Sequence, residues 1–237
     1  MRIITPTEIE SDDVAWEGYL EPLGETFKSG FSRPRVTLGK PKWWPAEALK
    51  AETGQDWSPP ADDRRYTLLR LACTLHPPGD PRTRYTEATL DAYLAPRYGA
   101  GSVVAHDLYP QRLSADEQAK FSVGLGPDLK FAKLLEAKLF EVGAEIEYHK
   151  AFPVIQSFGL GESHPYWRFA HHAANPLQGS QFVYAVLDAP GETEDVRLSI
   201  SLVATLETRY GGLIRVGSPE EVRAYVGAMV DGQNVKT

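Results

Sequence analysis

The segment 196–207, VRLSISLVATLE, alternates between two kinds of side chain along its whole length. One parity carries only apolar residues, from Val196 to Leu206, and the other carries mostly charged and hydroxyl residues, from Arg197 to Glu207. Successive side chains of a β-strand leave opposite faces of the sheet, so this period of two is typical of a strand with one buried face. The segment therefore predicts a long, half-buried strand.

The same alternation recurs through the centre of the chain. It is clearest at 65–76 and 85–96. Further strand candidates are 102–109, 121–125, 144–155, 165–172 and 181–188. Polar stretches containing Gly or Pro, such as HPPGDPRTR and APGETED, predict hairpin or arch connections between strands. The pattern predicts a mainly β fold, a two-sheet antiparallel β-sandwich of seven to nine strands, with an α+β fold as the alternative.

Two other segments carry helix signals. SPEEVRAYVGAM begins with Ser218 as N-cap, Pro219 at the first helical position and Glu221 closing a capping box, which predicts a C-terminal helix near 218–230. Residues 129–142 place apolar side chains at helical spacing, but they lead directly into an alternating stretch. The sequence leaves both a helix and a strand as alternatives for 129–142.

We interpret the chain as a single domain in two parts. Residues 1–60 are interrupted by prolines and hold four of the five tryptophans, which predicts an irregular N-terminal arm with one short helix at 45–52. Residues 61–237 form the sandwich with its C-terminal helix, and the arm packs on it. At 237 residues the chain is long enough to bury a core of its own.

Composition narrows the class of protein. The only cysteine, Cys73, lies in an apolar run and excludes an intramolecular disulfide and a cysteine-based metal cluster, so we expect a cytoplasmic protein. We find no signal-peptide pattern and no apolar stretch of the length that spans a bilayer as a helix. The net charge of -7 opposes sequence-independent binding of nucleic acid over the whole surface.

The stretch GLGESHPYWRFAHH contains three of the six histidines, His164, His171 and His172. On an extended strand, eight residues separate His164 from His172 by about 26 Å, and His171 points to the opposite face. One zinc ion needs ligand nitrogens about 2 Å away, so this segment alone does not gather the three rings around a metal. We therefore expect no catalytic residues, no metal and no cofactor. The rival hypothesis is a metal-assisted hydrolase that uses these three histidines with ligands from elsewhere.

A local inversion of charge stands out in FKSGFSRPRVTLGKPKWWP, residues 27–45, which has no acidic residue. The candidate partner-binding residues are Lys28, Arg33, Arg35, Lys40, Lys42, Trp43 and Trp44. Such a patch suits an acidic protein partner, and a nucleic acid or an anionic membrane surface are possible but less favoured ligands. The competing interpretation is an arm anchored on the sandwich by its aromatic rings, with its cations in water.

The sequence thus favours a non-enzymatic recognition or assembly module that binds a protein partner, or a second copy of itself, through residues 27–45 of the N-terminal arm, the basic-aromatic segment. A third hypothesis is a membrane-acting, pore-forming type of β protein, because 196–207 and its neighbour 181–188 are about as long as barrel-spanning strands. No aromatic girdle flanks them, and any sandwich strand shows the same pattern.

Overall fold

The computed structural model describes residues 8–23, 33–45, 60–97, 101–113, 154–172, 176–193, 195–208, 212–217 and 228–229. These residues form strands almost throughout, and the one helical element among them is a 3-10 turn at Ser11–Asp13. The strands are β1 (Val14–Tyr19), β2 (Glu21–Pro22), β3 (Arg35–Gly39), β4 (Lys42–Pro45), β5 (Arg64–Leu75), β6 (Thr83–Pro96), β7 (Val104–Tyr109), β8 (Arg112–Leu113), β9 (Val154–Phe158), β10 (Tyr166–Ala170), β11 (Gly179–Pro190), β12 (Asp195–Thr208), β13 (Gly212–Gly217) and β14 (Ala228–Met229).

The strands assemble into two antiparallel sheets. Sheet 1 has the order β1-β3-β5-β11-β7, with β4 also paired to β5. Sheet 2 has the order β2-β13-β12-β6-β10-β9-β8, with β14 also paired to β12. The mainly β fold with two antiparallel sheets is confirmed. The three segments with the clearest alternation became the long strands β5, β6 and β12, because a period-two pattern can bury one face only in a sheet.

The two Gly/Pro-containing connections are arches between the sheets. β5 lies in sheet 1 and β6 in sheet 2, so the connection between them crosses the sandwich, and β11 and β12 are joined in the same way. In the first arch, Asp80 accepts hydrogen bonds from the backbone N–H and the guanidinium of Arg82. These bonds lower the pKa of Asp80 and hold the turn closed.

The core lies between the inner faces of the sheets. Sheet 1 contributes Leu69, Leu71, Cys73 and Leu75 of β5, and sheet 2 contributes Leu198, Leu202, Ala204 and Leu206 of β12. Trp167 and Phe169 of β10 are both fully buried in this layer. The face of β10 that carries these two rings is therefore the buried one, and Arg168 on the other face is exposed.

The N-terminal arm differs from the irregular structure that we expected. Its described residues, 8–23 and 33–45, form β1, β3 and β4 in sheet 1 and β2 in sheet 2. β3 and β4 both pair with the same side of β5, one after the other along its length. Lys40 and Pro41 form the short break between these two strands. Prolines interrupt this region as predicted, but the pieces between them are long enough to pair.

Several sequence predictions fall outside the described residues. They are the helix at 45–52 beyond Pro45, the strand at 121–125, the helix or strand at 129–142, the strand at 144–155 before Val154, and the C-terminal helix near 218–230, of which only Ala228–Met229 is described, as β14. None of the helices in the described part of the chain has the length and apolar character needed to cross a membrane.

Candidate binding edge

Each described cation of the basic-aromatic segment contacts an acidic residue or carbonyl near the start of the chain. Arg33 pairs with Glu21 at 2.7 Å, and Arg35 donates to Glu17 from Nε at 3.1 Å and also from a terminal nitrogen. Lys40 donates to the backbone carbonyl of Asp12 at 2.8 Å, and Lys42 pairs with Asp13. Lys28 lies outside the described residues.

Glu17 of β1 is the centre of a small polar network on the outer face of sheet 1. It accepts hydrogen bonds from Arg35 and from the hydroxyl of Thr37, which lies 2.9 Å from a ring nitrogen of His76. The bond from Arg35 first, and then the bond from Thr37, lower the pKa of Glu17. The pair register of β1 with β3 explains the arrangement, because Glu17 is opposite Thr37 and Tyr19 is opposite Arg35.

The two tryptophans are anchors and not exposed contacts. Trp44 is 4% exposed, and Trp43 packs partly buried against the core. The guanidinium of Arg70 in β5 lies 5.7 Å from the ring centroid of Trp44 and 5.6 Å from that of Phe182. The aromatic part of the segment therefore ties it to the sandwich, as the competing interpretation of the sequence held.

β1 is an open edge of sheet 1. Leu20 donates its backbone N–H to Pro34, so in the alternating antiparallel ladder Gly18 also faces β3, while the N–H and C=O of Glu17 and Tyr19 point outward. No other described strand pairs with that outer side. The side chain of Tyr19 is 57% exposed beside it.

Most of the other sheet edges are covered or short, although the outer side of the four-residue β4 and residues 212–214 of β13 also pair with no other described strand. At the far edge of sheet 1, the backbone of Ala105 in β7 bonds to Glu162 and Gly161 of the turn that precedes β10. Sheet 2 ends in β2 and β8, each two residues long, and β2 contains Pro22. β1 thus offers unpaired backbone groups over a stretch that a bulge at Ala15 limits, and no proline interrupts this stretch, whereas β4 ends in Pro45.

The histidines do not converge. β10 runs as an extended strand between His164 at one end and His171 and His172 at the other. His164 lies 3.1 Å from Asp91, whereas the charges that act on His171 are those of Arg84, His172 and Glu207. Burial is the main cause of the lowered pKa of His171. No group of three metal-ligating side chains is found within the described ranges.

Sequence reasoning missed the acidic side of this edge. The segment VAWEGY alternates between Val14, Trp16 and Gly18 on one parity and Ala15, Glu17 and Tyr19 on the other, which is a strand signal. This strand signal was not used, because the prolines around it favoured an irregular arm. Pairing with β3 then brings the acidic residues of 10–21 beside the cations of 33–42, which lie too far along the chain to be matched without the register.

No known protein-family model matches the chain, and comparison with curated proteins finds no match either. The functional interpretation therefore depends on the residues and their geometry.

Proposed function

We propose that this protein is a non-enzymatic recognition module that binds a protein partner, or a second copy of itself, by adding a strand to the outer side of β1. The observation that carries the proposal is the open edge, where Glu17 and Tyr19 present backbone donors and acceptors outward. An extended peptide gains affinity from main-chain hydrogen bonds at such an edge and specificity from the neighbouring side chains.

The neighbouring side chains favour a partner strand with acidic groups. The side chains of Arg33 and Arg35 are 53% and 52% exposed although each is paired with a glutamate. A guanidinium has five N–H donors, so both arginines keep donors for a second carboxylate. Solvent-exposed ion pairs are worth about 1 kcal/mol or less, so a partner can share or replace Glu17 and Glu21 at small cost.

Within this proposal Trp43 and Trp44 have a supporting role. Because Trp44 is buried, contact with a partner would require β4 to detach from β5. The tryptophans instead fix the segment so that Arg35 stays on the strand next to the edge. The cations recognise the partner, and the rings hold the cations in position.

The proposal is tested by pull-down and by size-exclusion chromatography with light scattering. The double variant Arg33→Glu/Arg35→Glu is expected to lose the captured partner or the self-association of the unmodified protein. The matched control is Arg82→Glu/Arg84→Glu, which makes the same charge change at two exposed, ion-paired arginines in and beside the first arch. A monomer that captures the same proteins with either double variant would refute the proposal.

A second variant tests the edge itself. Tyr19→Pro removes an outward backbone N–H that makes no bond to β3, so the fold is expected to tolerate it while strand addition is blocked. Circular dichroism checks that the sheets are retained. Undiminished binding by folded Tyr19→Pro would place the contact elsewhere.

A further inference from the structure

A second cluster lies on the outer face of sheet 2 and does not involve β1. The rings of Tyr93 and His164 are stacked, with centroids 3.9 Å apart and planes 16° apart. His164 Nε2 lies 3.1 Å from one carboxylate oxygen of Asp91, and the hydroxyl of Ser201 donates to the other at 3.4 Å. Ser199 is directly opposite Tyr93 in the pairing of β12 with β6.

The turn before β10 sets the position of His164. Gly159 has a φ of +83°, and a Cβ at this position would lie 2.4 Å from the carbonyl oxygen of His164. Only glycine fits both the conformation and the close approach. The same turn bonds to Ala105 of β7, so the ring of His164 is held by a fixed loop rather than by a free one.

The order of contacts is not that of a nucleophilic triad. In such a triad the imidazole lies between the hydroxyl and the carboxylate and removes the hydroxyl proton. Here the carboxylate of Asp91 lies between Ser201 and His164. Neither serine hydroxyl of this cluster has a base within hydrogen-bond distance other than Asp91 among the described residues, so the arrangement suits binding.

The cluster is rich in acceptors. A carboxylate has about four lone-pair sites, and Asp91 uses one on each oxygen for His164 and Ser201. The hydroxyl of Ser201 donates its proton to Asp91 and keeps its lone pairs as acceptors, and the hydroxyl of Ser199 makes no hydrogen bond to other described residues. Tyr93 is 49% exposed, and His164 covers one face of its ring, leaving the negative π surface of the other face.

We propose that Tyr93, Asp91, Ser199 and Ser201 form a binding site for an alkylammonium group. An ammonium is the complementary partner because it carries three donors, no acceptor and a positive charge. Asp91 supplies the opposite charge, Ser199 and Ser201 supply neutral acceptors, and the open face of Tyr93 attracts a cation. His164 is a positioning residue, since it holds the ring of Tyr93 and one oxygen of Asp91.

The test is a titration of the whole protein with n-butylammonium chloride, followed by the NMR signals of Tyr93 and His164. The matched probe is n-butanol, which has a similar chain and no charge. Saturable shifts with n-butylammonium and much weaker shifts with n-butanol are expected. Equal responses to the two probes, or no saturation by n-butylammonium, would overturn the proposal.

Three variants locate the site. Asp91→Asn is expected to weaken n-butylammonium binding about tenfold or more, because a charge-assisted hydrogen bond is lost. Tyr93→Leu tests the ring at an exposed position where folding is not at stake, and it is expected to weaken binding several-fold. Glu207→Gln is the control, since this exposed carboxylate is held by Arg84. Equal losses in Glu207→Gln and Asp91→Asn would show unspecific attraction and refute the site.

The ammonium group could belong to a free amine or to a lysine side chain of a protein. Titration with Nα-acetyl-lysine amide, which keeps the side-chain ammonium group, separates these sources. Binding as tight as that of n-butylammonium supports a lysine, and clearly weaker binding supports a small free amine. This inference is independent of the β1 edge, because Tyr19→Pro should leave n-butylammonium binding unchanged.

Discussion

The guanidinium carbon of Arg70 lies 5.7 Å from the centroid of the Trp44 ring, so a buried cation of β5 joins the N-terminal segment to sheet 1. The side chain of Arg70 is 8% exposed, and a carboxylate oxygen of Asp13 lies 3.8 Å from its guanidinium. Phe182 packs against it at 5.6 Å. One residue thus connects the start of the chain, β4, β5 and β11, which makes the arm part of the fold.

Arg70→Ala is therefore expected to lower the free energy of unfolding by about 3 kcal/mol, because a buried partner and two ring contacts are lost together. Urea denaturation followed by tryptophan fluorescence measures the change. The control is Arg65→Ala, at a half-buried arginine in the same strand, with an expected loss of about 0.5 kcal/mol. Similar losses in the two variants would contradict the joining role of Arg70.

Trp167 offers a test of core packing in sheet 2. It is fully buried, and its indole nitrogen has no hydrogen-bond partner among the described residues. Trp167→Ala should cost about 4 kcal/mol through the cavity that it leaves. Trp167→Phe should cost much less, because removal of an unsatisfied buried donor offsets part of the lost packing. Thermal unfolding of both variants checks the order, and equal losses would contradict the cavity argument, because the phenyl ring of Trp167→Phe should fill much of the space that Trp167→Ala leaves empty.

Asp107 should make stability depend on pH. Burial raises the pKa of this carboxyl, although it accepts hydrogen bonds from the backbone of Leu108 and from Gln111. Because the pKa is raised in the folded state, the folded protein keeps this proton up to a higher pH than the unfolded chain does. The free energy of unfolding should therefore fall as the pH rises from the ordinary range of aspartate through the raised pKa of Asp107.

Asp107→Asn keeps a side-chain acceptor and removes the ionisation, so it should remove this fall in stability. The stability of the variant relative to the unmodified protein should therefore be higher at neutral pH than at acid pH. Asp80→Asn is a control of opposite sign. Asp80 has a lowered pKa, so its contribution is present above the usual aspartate range and is lost as the pH falls. Unfolding curves from acid to neutral pH test both, and an unchanged slope in Asp107→Asn would be evidence against the assignment.

Cys73 should be unreactive in the folded protein. It is fully buried, and burial raises the pKa of its thiol to about 12. The thiolate is the reactive form, so iodoacetamide at mildly alkaline pH should modify Cys73 only after unfolding in urea. Ala95→Cys adds an exposed thiol on sheet 2 as a positive control. Labelling of folded, unmodified protein at the rate of the control would contradict the burial of Cys73.

The histidine hypothesis has a direct chemical test. His164 is held by Asp91 and Tyr93 at one end of β10, and His171 lies at the other end, so elemental analysis of the purified protein should find no transition metal at stoichiometric amounts. A stoichiometric metal lost in His164→Ala would instead support the metal-assisted hydrolase. His106→Ala is the control, because this ring contacts Tyr66 on sheet 1.

The sequence by itself determined the local conformation of the strands and which of their faces is buried. Alternation in 65–76, 85–96 and 196–207 is a property of neighbouring residues, and a strand has only two faces, so the pattern predicts β5, β6 and β12 without knowledge of their partners. Cys73 of β5 is fully buried, in agreement with its place in an apolar run of the sequence.

Only the tertiary structure decided which residues meet. Glu17 and Arg35 are 18 residues apart, and His164 and Asp91 are 73 apart, so their contacts depend on strand order and register. The cations of 33–42 form an isolated positive patch in the sequence, and the fold places carboxylates of the 3-10 turn, β1 and β2 beside them. Long-range pairing is set by the whole arrangement of sheets, and no local pattern encodes it. The open edge of β1 and the ammonium site are both consequences of that pairing.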